Sequence, residues 1–132
     1  IKTEAEASGL VTWTMNVDPT KSSSTSCSCC GCCCHYMRGV TEFSMPAAIY
    51  PPKFLPVYHS NKCTSCGKCA LACPMGALTV NVKAKTFQHD KERCIGCGQC
   101  VVACSKENAL VMDAVTAYKE PPSMGFGGIG EL

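Results

Sequence analysis

Aromatic residues are scarce in this sequence, with one Trp, four Tyr and four Phe among 132 residues. Apolar residues also form no uninterrupted run of about 18, the length at which a membrane-spanning helix is considered. We therefore expect no membrane span. Because large apolar side chains are few, we also expect something besides apolar burial to hold the fold together.

Cysteine, in contrast, is abundant, at 14 of the 132 residues. That share exceeds roughly 8–10%, above which a short secreted chain is usually a disulfide scaffold. The spacing argues against this alternative, because sets of four cysteines at short fixed intervals suit metal ligation better than disulfide pairing. Metal centres are therefore the first hypothesis for what stabilises the fold.

Eight of the cysteines form two copies of one motif, C-x2-C-x2-C-x3-C, starting at Cys63 and again at Cys94. Each copy predicts a short helix over its third and fourth cysteines, followed by a strand at 77–82 or 109–115. Residues 86–90 predict the hairpin partner of the first strand, and residues 57–61 the partner of the second. The pattern indicates a duplicated unit.

The spacing within each motif suits a cubic four-iron, four-sulfur cluster. Three cysteines three residues apart can reach three corners of one cube, whereas the fourth is carried away on the helix and faces the other cube. This crossed assignment predicts a first cluster held by Cys63, Cys66, Cys69 and Cys104. It predicts a second cluster held by Cys94, Cys97, Cys100 and Cys73. Gly67 and Gly98 are expected to take positive φ and to turn their amides toward sulfur.

With this double motif, residues 57 to about 116 resemble a bacterial-type ferredoxin with two four-iron clusters. The resemblance implies an α+β, ferredoxin-like dicluster fold with a pseudo-twofold repeat, and one-electron transfer between redox partners. One departure is Ser105, which stands where the first copy has Pro74. Zinc is the alternative occupant of a CxxC pair, but it would leave the third and the remote fourth cysteine of each motif unexplained.

The other six cysteines crowd into residues 27–34, within the stretch CSCCGCCCHYMR, and we call them the crowded segment. The crowded segment predicts a third metal centre, an iron–sulfur cluster. Cys27, Cys30 and Cys33 repeat the spacing of the other sites, and the fourth ligand would come from elsewhere in the protein, from a substrate, or from Cys29, Cys32, Cys34 or His35. Zinc, free thiols, disulfides and a larger cluster using all six cysteines are alternatives. The segment resembles cysteine-crowded stretches upstream of dicluster domains in larger redox proteins of anaerobes.

Four parts are predicted along the chain. Residues 1–45 form a mostly irregular cysteine-rich extension, 46–56 a proline-rich linker, 57–119 the dicluster domain, and 120–132 a Gly- and Pro-rich tail. Within the extension, residues 2–8 predict a helix capped by Gly9, and Val11, Trp13 and Met15 predict one face of a short strand. Since the chain opens without Met, in what reads as the end of a helix, we expect it to be part of something longer.

The expected function is that of an electron-transfer module, with redox proteins or other subunits of a larger complex as partners. The alternative is a fragment of an oxidoreductase whose third cluster is catalytic, with one iron open to substrate. Nucleic acid is not an expected partner, because two clusters of about −2 each would turn the formal charge of +2 into about −2. Since such clusters are oxygen-sensitive, we expect a cytoplasmic location in an anaerobic or facultative organism.

Overall fold

The structure, a computed structural model, describes residues 2–14, 26–45 and 48–116. Its helices are α1 (Lys2–Ala7), α2 (His35–Thr41), α3 (Lys68–Leu71) and α4 (Gln99–Ala103). Its strands are β1 (Val11–Thr14), β2 (Ser26–Cys29), β3 (Phe54–Tyr58), β4 (Leu78–Asn81), β5 (Thr86–His89) and β6 (Leu110–Ala114). The fold is thus a small mixture of helices and strands. None of the helices in the described ranges is long and apolar enough to cross a membrane.

The strands form three separate two-stranded antiparallel sheets. In the repeated region β4 pairs with β5 and β3 pairs with β6, which confirms both predicted pairings. β3 starts at Phe54, three residues before the predicted boundary, and Pro56 lies inside it opposite Met112. Proline is tolerated there because β3 is an edge strand, so the missing N–H can face away from its partner.

The two motif helices each begin directly after a glycine with positive φ. Gly67 has φ 76° and Gly98 has φ 79°, as predicted. The helices hold the third cysteine of each motif but end before the fourth, so the prediction that they cover both is wrong. Pro74 explains why α3 ends before Cys73, because the residue that precedes a proline disfavours helical backbone. In the second motif, Cys104 has left helical geometry at φ −100° and ψ 15°.

The extension has more regular structure than the sequence predicts, within the residues that are described. α1 ends at Ala7 and Gly9 follows with φ 79°, as predicted for its cap. β1 and β2 pair antiparallel, with Val11 opposite Cys29, and α2 follows the crowded segment. The predictions for Met15 and for the tail at 120–132 lie outside the described residues.

Two clusters of buried side chains form the core. One lies between the repeats, where Leu78, Ala109 and Leu110 pack with cysteines of both motifs. The other joins the extension to the repeats, since Met37 of α2 packs with Met75, and both are almost fully buried at 0% and 1% exposure. Burial of such a side chain contributes about 1.5–3 kcal/mol. The extension is therefore packed against the repeated region rather than separate from it.

Candidate metal centres

A small cavity lies between the repeats on the side of β4. Four thiols line it: Cys63, Cys66, Cys69 and Cys104. Three of these come from the first motif and the last from the second. The rest of the lining is largely apolar, but Lys68 and the carboxylate-bearing Glu107 also border it.

A second small cavity is lined by the complementary set of thiols. They are Cys94, Cys97, Cys100 and Cys73, again three from one motif and one from the other. Pro56, Met75, Leu78 and Ile95 give this cavity an apolar lining. The structure therefore brings all eight motif cysteines together in the two sets of the crossed assignment. Four thiols around an apolar space are the donors that a four-iron cluster takes.

Burial distinguishes the two cavities. Cys66 of the first is exposed, whereas no cysteine of the second is. Burial raises the pKa of Cys94 and Cys97, and it raises that of Cys100 to about 12. Such thiols keep their protons until a metal displaces them, because a lone thiolate is costly in an apolar site.

Hydrogen bonds reach the sulfur atoms of both cavities. The Ser65 amide donates to Cys63 Sγ and the Ala77 amide to Cys73 Sγ, each at 3.3 Å. Burial is the largest influence on the pKa of Cys63 and raises it, but hydrogen bonds from the Tyr58 hydroxyl and from Ser65 outweigh it, so that the pKa is lowered overall. These donors stabilise negative charge on sulfur, which is what a ligating thiolate carries.

The comparison with protein families agrees with this geometry. Residues 55–105 match the 4Fe-4S dicluster domain. The match covers all eight motif cysteines and leaves the crowded segment outside. A dicluster domain of this family implies iron–sulfur clusters and electron transfer. Comparisons with curated proteins and with solved structures found no match.

Within the dicluster domain, sequence reasoning missed the position between the first and second cysteines of each motif. Ser65 and Gly96 occupy it, with φ 55° and 66°. A Cβ on Gly96 would lie 2.4 Å from the Phe54 carbonyl oxygen and 2.5 Å from Pro52 Cβ, so only glycine fits there. The Gly96 amide hydrogen-bonds Cys94, as the Ser65 amide does Cys63. The signal available in the sequence was the equivalence of the two positions in the repeat.

The crowded segment is divided between a strand and a turn. Cys27 and Cys29 lie on one face of β2, and Trp13 Nε1 donates to Cys29 Sγ at 3.2 Å. Cys34 packs at the edge of the buried cluster around Met37. The thiols of Cys30, Cys32 and Cys33 lie within 4.8 Å of one another.

The set that the structure brings together is therefore not the predicted register, since Cys32 takes the place of Cys27. The turn is closed by a hydrogen bond from the Cys34 amide to the Cys30 carbonyl, at 3.3 Å. This turn brings Cys32 and Cys33 close to Cys30, whereas Cys27 lies in β2, outside the group. Within the group, a hydrogen bond with Cys32 lowers the pKa of Cys30 to about 7, and the same bond raises that of Cys32 to about 11.

Proposed function

We propose that this chain is an electron-transfer module with two 4Fe–4S clusters in a pseudo-twofold domain. Cys63, Cys66, Cys69 and Cys104 would hold the first cluster, and Cys94, Cys97, Cys100 and Cys73 the second. The observation that carries the proposal is the composition of the two cavities, each lined by three cysteines of one motif and the fourth of the other. When bound, each cluster supplies a site that accepts and releases one electron.

The chain's own residues would bind and tune these groups. The apolar linings exclude water, which shifts potential and slows loss of iron. The amides of Ser65 and Ala77 donate to ligand sulfurs, and such donors favour the more negatively charged state. The two linings consist mainly of thiols and apolar groups, and the charged side chains of Lys68 and Glu107 border the first cavity alone.

The difference in burial supports a direction for the module. Cys66 is exposed at the first cavity, whereas Cys29 and Cys34 of the extension pack against the same buried cluster as Cys73, Cys94 and Cys97 of the second. A redox partner would exchange electrons on the first side, because transfer weakens with distance. The extension side would face a third metal centre in the crowded segment and the remainder of a larger assembly, in a reducing cytoplasm.

Metal analysis and serine variants test this proposal. Protein prepared without oxygen should contain about eight irons and eight sulfides in the dicluster domain. Cys104→Ser should perturb the same reduced-state EPR signal as Cys63→Ser, and Cys73→Ser the same signal as Cys94→Ser. If the assignment were not crossed, Cys104→Ser would instead perturb the same EPR signal as Cys94→Ser. The proposal fails if the protein contains zinc at the motif cysteines and shows no absorption near 400 nm.

A further inference from the structure

The crowded segment contains one compact group of thiols that the dicluster domain does not use. Cys32 Sγ and Cys33 Sγ are 3.6 Å apart, and Cys30 Sγ lies within 4.8 Å of both. Two of the segment's other cysteines are engaged elsewhere, Cys29 with the Trp13 indole and Cys34 in apolar packing. The three thiols are thus close together and accessible, since Cys32 and Cys33 are exposed and Cys30 is half-buried.

These spacings discriminate between a single ion and a cluster. Metal–sulfur bonds of about 2.3 Å in a tetrahedral site put the sulfurs about 3.8 Å apart. A four-iron cube binds each thiolate to a different iron, and therefore holds them much farther from one another. The observed separations of 3.6 Å to at most 4.8 Å suit the single ion. In the dicluster domain the thiols instead line two cavities, each bordered by cysteines of both motifs.

Backbone contacts fix this arrangement of thiols. The Cys34 amide closes the turn on the Cys30 carbonyl at 3.3 Å. A Cβ on Gly31 would lie 2.9 Å from the Pro74 carbonyl oxygen, so the turn rests directly on the dicluster domain.

We propose that Cys30, Cys32 and Cys33 form a three-thiolate site for a single thiophilic metal ion, with Zn²⁺ as the ion that tetrahedral thiolate ligation suits. The proposal deepens the proposed third centre and names its occupant, replacing the predicted third cluster. As three metal–sulfur bonds form, the protons of those thiols that carry one leave to solvent, and no electron is transferred. The exposure of Cys32 and Cys33 leaves the fourth position to water or to a donor from a partner.

The test compares metal content in variants of the full chain, prepared without oxygen and supplied with iron, sulfide and Zn²⁺. We expect about one zinc per chain, with about three sulfurs near 2.3 Å in zinc-edge X-ray absorption. Cys32→Ser and Cys33→Ser should each lower zinc at least tenfold, whereas Cys27→Ser should leave it unchanged. Iron should stay at about eight in every variant, which shows that each has folded.

Several results would overturn the inference. They are wild-type zinc below about a tenth of an ion per chain, a Cys32–Cys33 disulfide in its place, an equal loss of zinc in Cys27→Ser, or iron near twelve that falls to eight in Cys27→Ser. Iron other than eight, together with zinc that depends on Cys32 and Cys33, would instead contradict the two-cluster proposal and leave this one standing.

Discussion

The indole N–H of Trp13 donates to Cys29 Sγ at 3.2 Å, across the pair of strands β1 and β2. Trp13 stands opposite Cys27, so the indole reaches diagonally to Cys29, two residues further along β2. The same ring meets Tyr36 of α2 edge-on, with centroids 6.2 Å apart. Trp13 therefore connects the strand before the crowded turn to the helix after it.

Trp13→Phe should lower stability by about 1 kcal/mol, or roughly 2–6 °C in unfolding temperature. The phenyl ring keeps an aromatic partner for Tyr36 but has no donor for the Cys29 sulfur. Thermal unfolding of cluster-loaded protein, followed by circular dichroism, measures the change. Tyr36→Phe is the control, since it preserves both the ring contact and the indole bond. Equal midpoints for Trp13→Phe and wild type would show that the hydrogen bond contributes nothing.

A second long-range bond connects the extension to the dicluster domain, from Gln99 Nε2 to the Leu10 carbonyl at 2.9 Å. Gln99 is buried, at 6% exposure. Gln99→Ala would leave that carbonyl without this donor, which costs roughly 1–3 kcal/mol locally and should speed amide exchange in β1 by about tenfold or more. Hydrogen exchange with mass spectrometry reports this. Gln88→Ala, at an exposed position of β5, should leave β1 exchange unchanged.

The strand pairings and the two sets of motif cysteines were accessible from sequence, because repeat spacing and alternation are local patterns. The start of β3 was not, since Pro56 argues against a strand unless its edge position is known. The thiol group in the crowded segment contains two of the three cysteines of the predicted register, Cys30 and Cys33, together with Cys32. A spacing of three residues predicts ligands only where the backbone is a uniform loop. Here Cys27 lies in β2, and the turn that follows brings Cys32 close to Cys30 and Cys33 instead. Contacts such as that of Gln99 with Leu10 join residues far apart in the chain, and neither composition nor local spacing predicts them.

Gly96→Ala should remove the second cluster while sparing the first. The added Cβ would meet the Phe54 carbonyl at 2.4 Å and Pro52 at 2.5 Å, and φ 66° adds strain for any residue with a side chain. Iron should fall from about eight to about four per chain. Gly9→Asn provides the comparison, because no atom lies within 4 Å of its Cβ position, Asn tolerates left-handed backbone, and Gly9 lines neither cavity. An iron content of about eight per chain in Gly96→Ala would contradict this prediction and would mean that Pro52 and the β3 backbone shift to accommodate the added Cβ.

Tyr58→Phe should lower the reduction potential of the first cluster. The hydroxyl hydrogen-bonds Cys63, and the ring stacks on Phe87 with centroids 4.2 Å apart, so that Phe removes the donor and keeps the stacking. A donor to ligand sulfur favours the reduced state, and a bond of about 1 kcal/mol corresponds to about 40 mV for one electron. Redox titration followed by EPR measures both clusters. Tyr50→Phe, at an exposed position, should shift neither, and an upward shift in Tyr58→Phe would contradict the assignment of Cys63 as a ligand.

Glu107→Gln should have the opposite effect on the same cluster. Glu107 borders the first cavity. Its negative charge acts to raise the pKa of Cys63, against the hydrogen bonds that lower it, and so disfavours a thiolate there. Removing a negative charge makes an added electron less costly, by roughly 20–60 mV at a partly solvated site. The same titration should show the first potential rising and the second unmoved, whereas Glu92→Gln, exposed before Cys94, should leave the first unchanged. Of the two described cavities, Glu107 lines only the one that holds Cys63 and Cys104. A shift in the potential of the second cluster instead of the first would therefore contradict the crossed assignment.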